Sequence, residues 1–483
     1  MASCASSQPR GRGSCRMRKV QLRLPLGLGH QLRELVFARA RHEIVAFCLV
    51  SHELVGDTTI LLVRRVVALD DADYLDEPSL GAAWKGSAML PVIEMAMREG
   101  LGIVVVHAHD FPGKARLSAD DLASARRLVP MFRARVPGRP HASIVLGRGT
   151  AAGLVALPGR NARRYDDVSV RWLGKSIVDW PSTEGDPAFD LEVFDRQALV
   201  VGDQGLLSRA RVVVVGLCGG GSHVVQQLTH AGVGWIIGID DDICDRTNLH
   251  RQIGMRPVDA RKPTPKIKVM SRLVRSIGTG SRFVGIKARV PAPATLDALK
   301  SADVIIGATD NVHGRADVMD IAWRNLVPYI DVGANIRALE RPASEPRVAI
   351  GGNVHVFIPG GFCGWCTGFI SDEKLNAERD GRADRSYFQN KGGEAQVVSF
   401  NAVVAGQAVS EALQLLTAYR GSSIDPAALA LGDGRQRGVL KFDGLRGTLE
   451  EWGGARREEC PHCNEALSAG SVVWQTVPAR RRG

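Results

Sequence analysis

Three sets of residues in this chain of 483 have types and spacings suited to chemistry. Gly216, Gly219, Gly220 and Gly221 form a glycine-rich turn, and Asp240 lies 24 positions after the first of them. Glycines let the backbone approach a phosphate at a helix N-terminus, and an acid at the next strand end can take ribose hydroxyls. Just beyond it, Asn248, Arg251 and Gln252 stand in the run NLHRQ. An enzyme attacking a triphosphate needs such cations and amides around its phosphates. In the second set, His107 and His109 are followed by Ser118 and Asp121. Two imidazoles and a carboxylate leave the fourth zinc position open, which is the catalytic arrangement. The third set, Cys363-x-x-Cys366 and Cys460-x-x-Cys463, fits a closed Cys4 zinc site across a long insertion, and that zinc is structural.

Each set needs elements to hold it. Val212 to Val215 reads as a buried strand running into the glycine turn, Ser222 to Ala231 as a helix, and Trp235 to Ile239 as a second strand ending on Asp240. Together they predict a βαβ nucleotide-binding unit. Ile103 to Val106 reads as a short buried strand delivering His107 and His109 to one face, because strand residues alternate. The run DDLASARRLV, from Asp120, opens a helix, and His141 reads as a surface residue ahead of the strand ASIVLG. Proline, glycine and polar residues between Trp180 and Asp190 predict a linker. The expected organisation is a disordered basic tail (1–20), a first domain (21–185) and a nucleotide-binding domain (186–483).

From Phe194 to Cys463 the chain resembles the ThiF/MoeB superfamily, the adenylating core of ubiquitin-activating enzymes. The motifs stand in that family's order: FDRQ from Phe194 to Gln197, the glycine loop, DDD followed by NLHRQ, a lysine after proline at Lys266, ATDN from Ala308 to Asn311, and the two CxxC pairs. The resemblance implies ATP-dependent adenylation of the C-terminal glycine of a ubiquitin-like or sulfur-carrier protein. It implies a nucleotide cradled by Gly216, Gly219 and Gly221, with Asp240 on the ribose beside Asp242, and with Asn248, Arg251 and Lys266 on the phosphates. Asp310 would hold magnesium, and Arg196 would reach an active site across a homodimer. Gln252 either contacts a phosphate or orients Arg251, and Lys262 and Lys268 are alternatives to Lys266. Cys218 departs from the family's glycine loop; if its position requires φ > 0, a side chain there costs about 1–2 kcal/mol.

The pattern of His107, His109, Ser118 and Asp121 resembles the JAMM (JAB/MPN) metallopeptidase signature. That resemblance implies zinc on His107, His109 and Asp121, with Glu43 deprotonating the attacking water and Ser118 steadying the oxyanion. Asp120 competes with Asp121 for the metal, and Asp110 stands where the family has proline. The two resemblances imply an α/β chain: a JAB/MPN-like domain followed by a Rossmann-like ThiF domain carrying a Cys4 zinc knuckle. The cofactors are then ATP, Mg2+ and two zinc ions, one catalytic and one structural.

Composition sets the outer bounds. With 45% hydrophobic and 23% charged residues, the chain is long enough for two or three cores, and no apolar run approaches the length needed to span a bilayer. A net charge of +11 owes much to arginines in the two tails. We read those as solvated ends rather than a nucleic-acid surface. Four of the nine cysteines lie in CxxC pairs, which points to a reducing, cytoplasmic setting. No cysteine occurs between Thr367 and Glu459, where ubiquitin-activating enzymes carry their thioester nucleophile. The expected product is therefore an acyl-adenylate passed to a separate, conjugating-enzyme-like or sulfur-transferring acceptor. The rival readings are a non-catalytic scaffold for a ubiquitin-like protein and an NAD-dependent oxidoreductase, which shares the glycine loop.

Overall fold

The computed structural model describes residues 19–38, 43–75, 83–110, 113–180, 189–338, 348–381 and 396–468. Most of the expected tail and of the expected linker lies outside these residues. The first strand starts at Lys19, so the first unit begins ahead of the boundary drawn at residue 21.

The first unit contains, in chain order, β1 (Lys19–Leu24), α1 (Leu28–Val36), β2 (Ala46–Val55), β3 (Thr58–Ala68), α2 (Leu90–Glu99), β4 (Gly102–Ala108), α3 (Ala119–Arg135), β5 (His141–Leu146), β6 (Ala151–Ala156), β7 (Arg163–Tyr165), β8 (Ser169–Leu173) and β9 (Ile177–Trp180). Its strands form one mixed sheet in the order β7-β6-β5-β4-β2-β3-β1-β8-β9. The central strands are apolar at consecutive positions because both faces are covered. On one face Leu22, Cys48, Leu61 and Val104 pack with Leu32 and Val36 of α1. On the other, Phe47, Leu49, Ile103 and Val105 meet Val92 and Ile93 of α2 and Leu128 and Phe132 of α3.

The second unit runs through α4 (Asp195–Val201), α5 (Gln204–Arg209), β10 (Arg211–Val215), α6 (Gly219–His230), β11 (Trp235–Ile239), α7 (Pro257–Arg261), α8 (Lys266–Ile277), β12 (Arg282–Ile286), α9 (Pro293–Ser301), β13 (Val304–Gly307), α10 (Val312–Arg324) and β14 (Tyr329–Ala338). It continues with β15 (Val348–Phe357), α11 (Asp372–Arg379), α12 (Val398–Thr417), β16 (Gln436–Asp443), β17 (Thr448–Gly454) and α13 (Pro461–Ser468). Strand order is β12-β11-β10-β13-β14-β15-β16-β17, parallel from β12 to β14 and antiparallel beyond. The parallel part reverses direction of winding between β10 and β13. A doubly wound sheet opens its ligand crevice at that point, beyond the C-terminal strand ends. No helix of the described residues is long and apolar enough to cross a membrane.

The two units share one buried interface rather than hanging on a linker. The half of the first sheet left bare by α2 and α3 packs on the second unit, and Leu26, Ile60, Leu62 and Leu173 join the cluster formed by Val212, Val304 and Ile330. Charges are buried there too. Arg23 Nη1 donates to the carbonyls of Lys300 and Asn325, both at 3.1 Å, and Arg64 donates to the carbonyl of Arg324. These carbonyls close α9 and α10, where a helix end is negative and attracts a cation. Arg171 joins Asp303 and Asp179, each at 2.7 Å. Asp303 and Asn325 immediately precede β13 and the Leu326–Pro328 approach to β14, so the first unit caps the N-terminal ends of the parallel strands. The ligand crevice of such a sheet lies at the opposite, C-terminal strand ends. Removing one partner of a buried ion pair leaves the other charge uncompensated. Arg171→Met is therefore expected to lower unfolding free energy by about 3 kcal/mol in a denaturant titration. A loss below about 1 kcal/mol would show that the apolar contacts alone hold the interface.

Candidate functional site

The glycine loop leaves β10 at Gly216, whose φ of +86° and whose approach to Ala308, with a Cβ position 2.6 Å from that carbonyl oxygen, both demand glycine. At Gly221 a Cβ would fall 1.8 Å from the Gly216 oxygen, so the loop folds tightly onto the first turn of α6. Cys218 is the N-cap of that helix at φ −91°. The strain expected from a positive φ is absent, because the left-handed residue of this loop is Gly216, which leaves Cys218 free to carry a side chain.

Asp240, at the end of β11, is 9% exposed and accepts from Leu217 N and from Asp242 N, each at 2.8 Å. It thereby ties the glycine loop to the next loop; burial raises its pKa against the opposing charge of Lys266. Lys266 opens α8 behind Pro265, is 6% exposed, and donates to Asp242 Oδ2 at 2.7 Å. Burial works to lower its pKa, but Asp240 and its other neighbours outweigh this and hold the ammonium charged. Lys262 and Lys268 are both exposed, which leaves Lys266 as the lysine of the crevice.

A short 3-10 turn at Arg246–Asn248, capped in both directions by Asp245 and Asn248, leads into the rest of NLHRQ; Asn248 Oδ1 accepts from Asp245 N at 2.9 Å. Its amide nitrogen is the end left to donate. Arg251 Nη1 donates to Thr247 O at 2.9 Å. Gln252 is 3% exposed and its Oε1 faces Cys244 Sγ at 3.9 Å, so its side chain packs inward rather than orienting Arg251. On the far side of the loop, Asp310 is exposed beyond β13 and accepts from Asn311 Nδ2 at 3.1 Å. Gln252 Nε2 and Thr309 Oγ1 are buried with no hydrogen-bond partner among the described residues. Orphaned donors around a glycine loop fit a polyphosphate that would accept from them. Arg196 lies exposed on α4, beside Leu199 (96% exposed), Val193 and Val200.

The first unit brings its five expected residues together. Antiparallel pairing of β2 with β4 sets Ala46 opposite Val106, and continuing that register places Glu43 opposite His109. His107 Nε2 lies 3.0 Å from Asp121 Oδ1, while His109 Nε2 lies 3.5 Å from Asp121 Oδ2 and 3.6 Å from Glu43 Oε1. Tetrahedral zinc with N and O ligands spaces its donors about 3.3 Å apart, so the set fits the ion. His107 Nε2 is also buried without a hydrogen bond of acceptable geometry among the described residues, although a carboxylate is close. Asp120 is exposed, and Asp121 is the acid that faces the imidazoles. Burial alone would raise the Asp121 pKa; His107 and two hydrogen bonds from Ser118 hold it well below the carboxylate range. Ser118 is the N-cap of α3, donating its hydroxyl to Asp121 Oδ2 at 2.7 Å and accepting from Asp121 N at 3.0 Å. Its hydrogen is thus committed to orienting the carboxylate, not to an oxyanion.

Cys363, Cys366, Cys460 and Cys463 converge, with Sγ separations of 3.7, 3.8 and 3.6 Å along three edges. An ideal Zn–S4 tetrahedron has edges of about 3.8 Å. The surface reading of His141 needs correction. His141 is fully buried in β5, with Nδ1 accepting from Ile103 N at 3.1 Å and Nε2 2.9 Å from Val136 O. Gln396, just ahead of α12, and Asn401, in its first turn, approach Gly219 but carry no local signal that would link them to the glycine loop.

A family model described as the ThiF family matches residues 194–462. The chain belongs to the ThiF family. Among curated relatives, a SAMP-activating enzyme E1 of Haloferax volcanii is 32% identical over 127 residues, 26% of this chain and 46% of the relative. A sulfur carrier protein adenylyltransferase of Thermus thermophilus is 33% identical over 137 residues, 28% of this chain and 50% of the relative. The matched part of this ThiF chain thus spans half or less of these relatives' length. The solved structure of E. coli MccB with ATP is 19% identical, covering 58% of this chain and 76% of that one at a TM-score of 0.42. That likeness is too loose to add to the family assignment.

Proposed function

We propose that the chain adenylates the C-terminal glycine of a ubiquitin-like or sulfur-carrier protein with ATP, and that its first unit is a JAB/MPN-like zinc peptidase acting at the same terminus. The observation that carries the first half is the crevice itself: Leu217 N of the glycine loop donates to Asp240, Lys266 donates to Asp242, and Ile253 N, just after NLHRQ, donates to Ser222 of α6. The names of ThiF relatives, which include sulfur carrier protein ThiS adenylyltransferases, support the carrier as substrate. In this reading Asp240 meets the ribose, Asn248 donates a hydrogen bond to a phosphate, and Arg251 and Lys266 neutralise charge as the terminal carboxylate attacks the α-phosphate and pyrophosphate leaves. Asp310 would hold magnesium, which screens the triphosphate. The exposed apolar residues around Arg196 support a homodimer through which that arginine reaches the partner's crevice.

In the first unit, His107, His109 and Asp121 would hold zinc, which supplies Lewis acidity for amide hydrolysis. Glu43 then takes the proton of the attacking water, and Ser118 keeps Asp121 in place. The Cys4 cluster would hold a second zinc that braces β15 and α13.

Carrier transfer to a cysteine of this chain is not expected. Burial pushes the thiol of Cys48 up to about 12 and that of Cys244 up to about 11, where the thiolate is scarce. Intact mass spectrometry of enzyme, carrier, ATP and Mg2+ without reductant should find adenylated carrier and no thiol-sensitive adduct on the chain. An ATP-dependent adduct lost in Cys218→Ala or Cys244→Ala, with adenylation preserved, would show instead that the carrier passes through that sulfur.

A further inference from the structure

The first turn of α6 is overlooked by a polar side chain that no motif accounts for. Asn401, in the first turn of α12, is 2% exposed, and its Nδ2 has no hydrogen-bond partner among the described residues. That nitrogen lies 2.6 Å from the point where a Cβ on Gly219 would stand, and Gln396 Oε1 lies 3.3 Å from the same point. Gly219 opens α6, a helix of 12 residues whose N-cap Cys218 makes no side-chain hydrogen bond. The backbone N–H groups of a first turn are donors without intrahelical partners. A buried amide donor thus stands beside the first turn of α6 and its own donors, and a group that satisfies both is an acceptor. At a positive helix end that acceptor is best an anion. Glycine at 219 serves this arrangement directly, because any side chain there would strike the Asn401 amide.

We propose that Asn401 donates a hydrogen bond to an anionic oxygen of the reacting pair, held at the N-terminus of α6. The oxygen belongs either to a phosphate of the nucleotide or to the acyl end derived from the carrier's terminal carboxylate. This rests on the adenylation reading above and extends it to a residue far along the chain. The ligand contact is separable from packing, because aspartate keeps the shape of Asn401 while replacing its donor with a negative acceptor.

The test uses the full-length chain as wild type, Asn401→Ala and Asn401→Asp. Binding of ATP with Mg2+, and separately of glycyl-sulfamoyl adenosine as a stable stand-in for a glycyl-adenylate, is measured by calorimetry, alongside the melting temperature of each variant. A charge-assisted hydrogen bond lost on truncation weakens binding about tenfold or more. Asn401→Ala should show that loss with an unchanged melting temperature, and Asn401→Asp a larger one. Weakened ATP binding assigns the phosphate; weakening confined to glycyl-sulfamoyl adenosine assigns the acyl end. Wild-type affinity for both ligands in both variants would overturn the inference. So would a destabilised alanine variant beside an aspartate variant that binds normally, since that pattern means the amide oxygen only caps α6. Wild-type protein that binds neither ligand overturns the adenylation reading itself, and this inference with it.

Discussion

Asp310→Ala is expected to reduce carrier-dependent ATP–pyrophosphate exchange by roughly a thousandfold or more, and Arg251→Ala by a comparable factor. The two residues flank the glycine loop from opposite sides: Arg251 follows the strand on one side of β10, and Asp310 follows β13 on the other. Positioned charge is most of what a protein supplies to attack on a phosphate, so losing either side leaves a crowded triphosphate poorly neutralised. Both side chains lie at the protein surface, Asp310 exposed and Arg251 half-buried, and neither substitution should unfold the chain. Peptidase activity in the same preparations should be unchanged, because the first unit packs on the opposite strand ends. Exchange in Asp310→Ala equal to wild type would remove it from the site, and with it the magnesium role.

The second large effect is expected at the other site. Wild-type protein should carry about two zinc ions per chain, and His109→Ala about one, with hydrolysis of carrier extensions lost. His109 sits just beyond β4 with its ring between Glu43 and Asp121, so removing it would delete one of the three proposed ligands. The Cys4 cluster does not share those ligands and should keep its ion; Cys460→Ser should remove that second zinc and destabilise the fold around α13. Elemental analysis decides between the outcomes. A single zinc in wild type, retained after His109→Ala, would reject the peptidase reading.

Much of the nucleotide unit was legible before the structure, for physical reasons that particular segments make plain. The run Trp235–Ile239 is the observed β11, since a short apolar stretch bounded by glycine and three aspartates has few other folds open to it. The run at Val212 gains one residue, Arg211, whose backbone nitrogen bonds Asp303 Oδ2 at 2.7 Å. In the first unit, alternation alone put His107 and His109 on one face, and the Ser118 cap settled which aspartate joins them. Contacts made far along the chain were not legible. Arg23, Arg64 and Arg171 carry no local signal of burial, yet all are buried between the units. His141 looked like a polar residue at a strand start, yet its ring bridges two backbone groups. Asn401 lies in a helix whose apolar pattern says only that it is buried. Whether Cys218 needs a positive φ was not legible either, because the left-handed residue of the loop, Gly216, cannot be told from glycine count alone.

The most direct test of the central claim is pyrophosphate exchange by the wild-type chain across a panel of small ubiquitin-like and sulfur-carrier proteins ending in Gly-Gly. Each carrier is paired with the same protein lacking its last glycine. The account predicts ATP-dependent exchange with at least one intact carrier, none with its truncated form, and AMP attached to the intact carrier by mass. Exchange at background with every intact carrier, from protein that binds the same carriers or binds NAD, would contradict it in favour of a scaffold or an oxidoreductase.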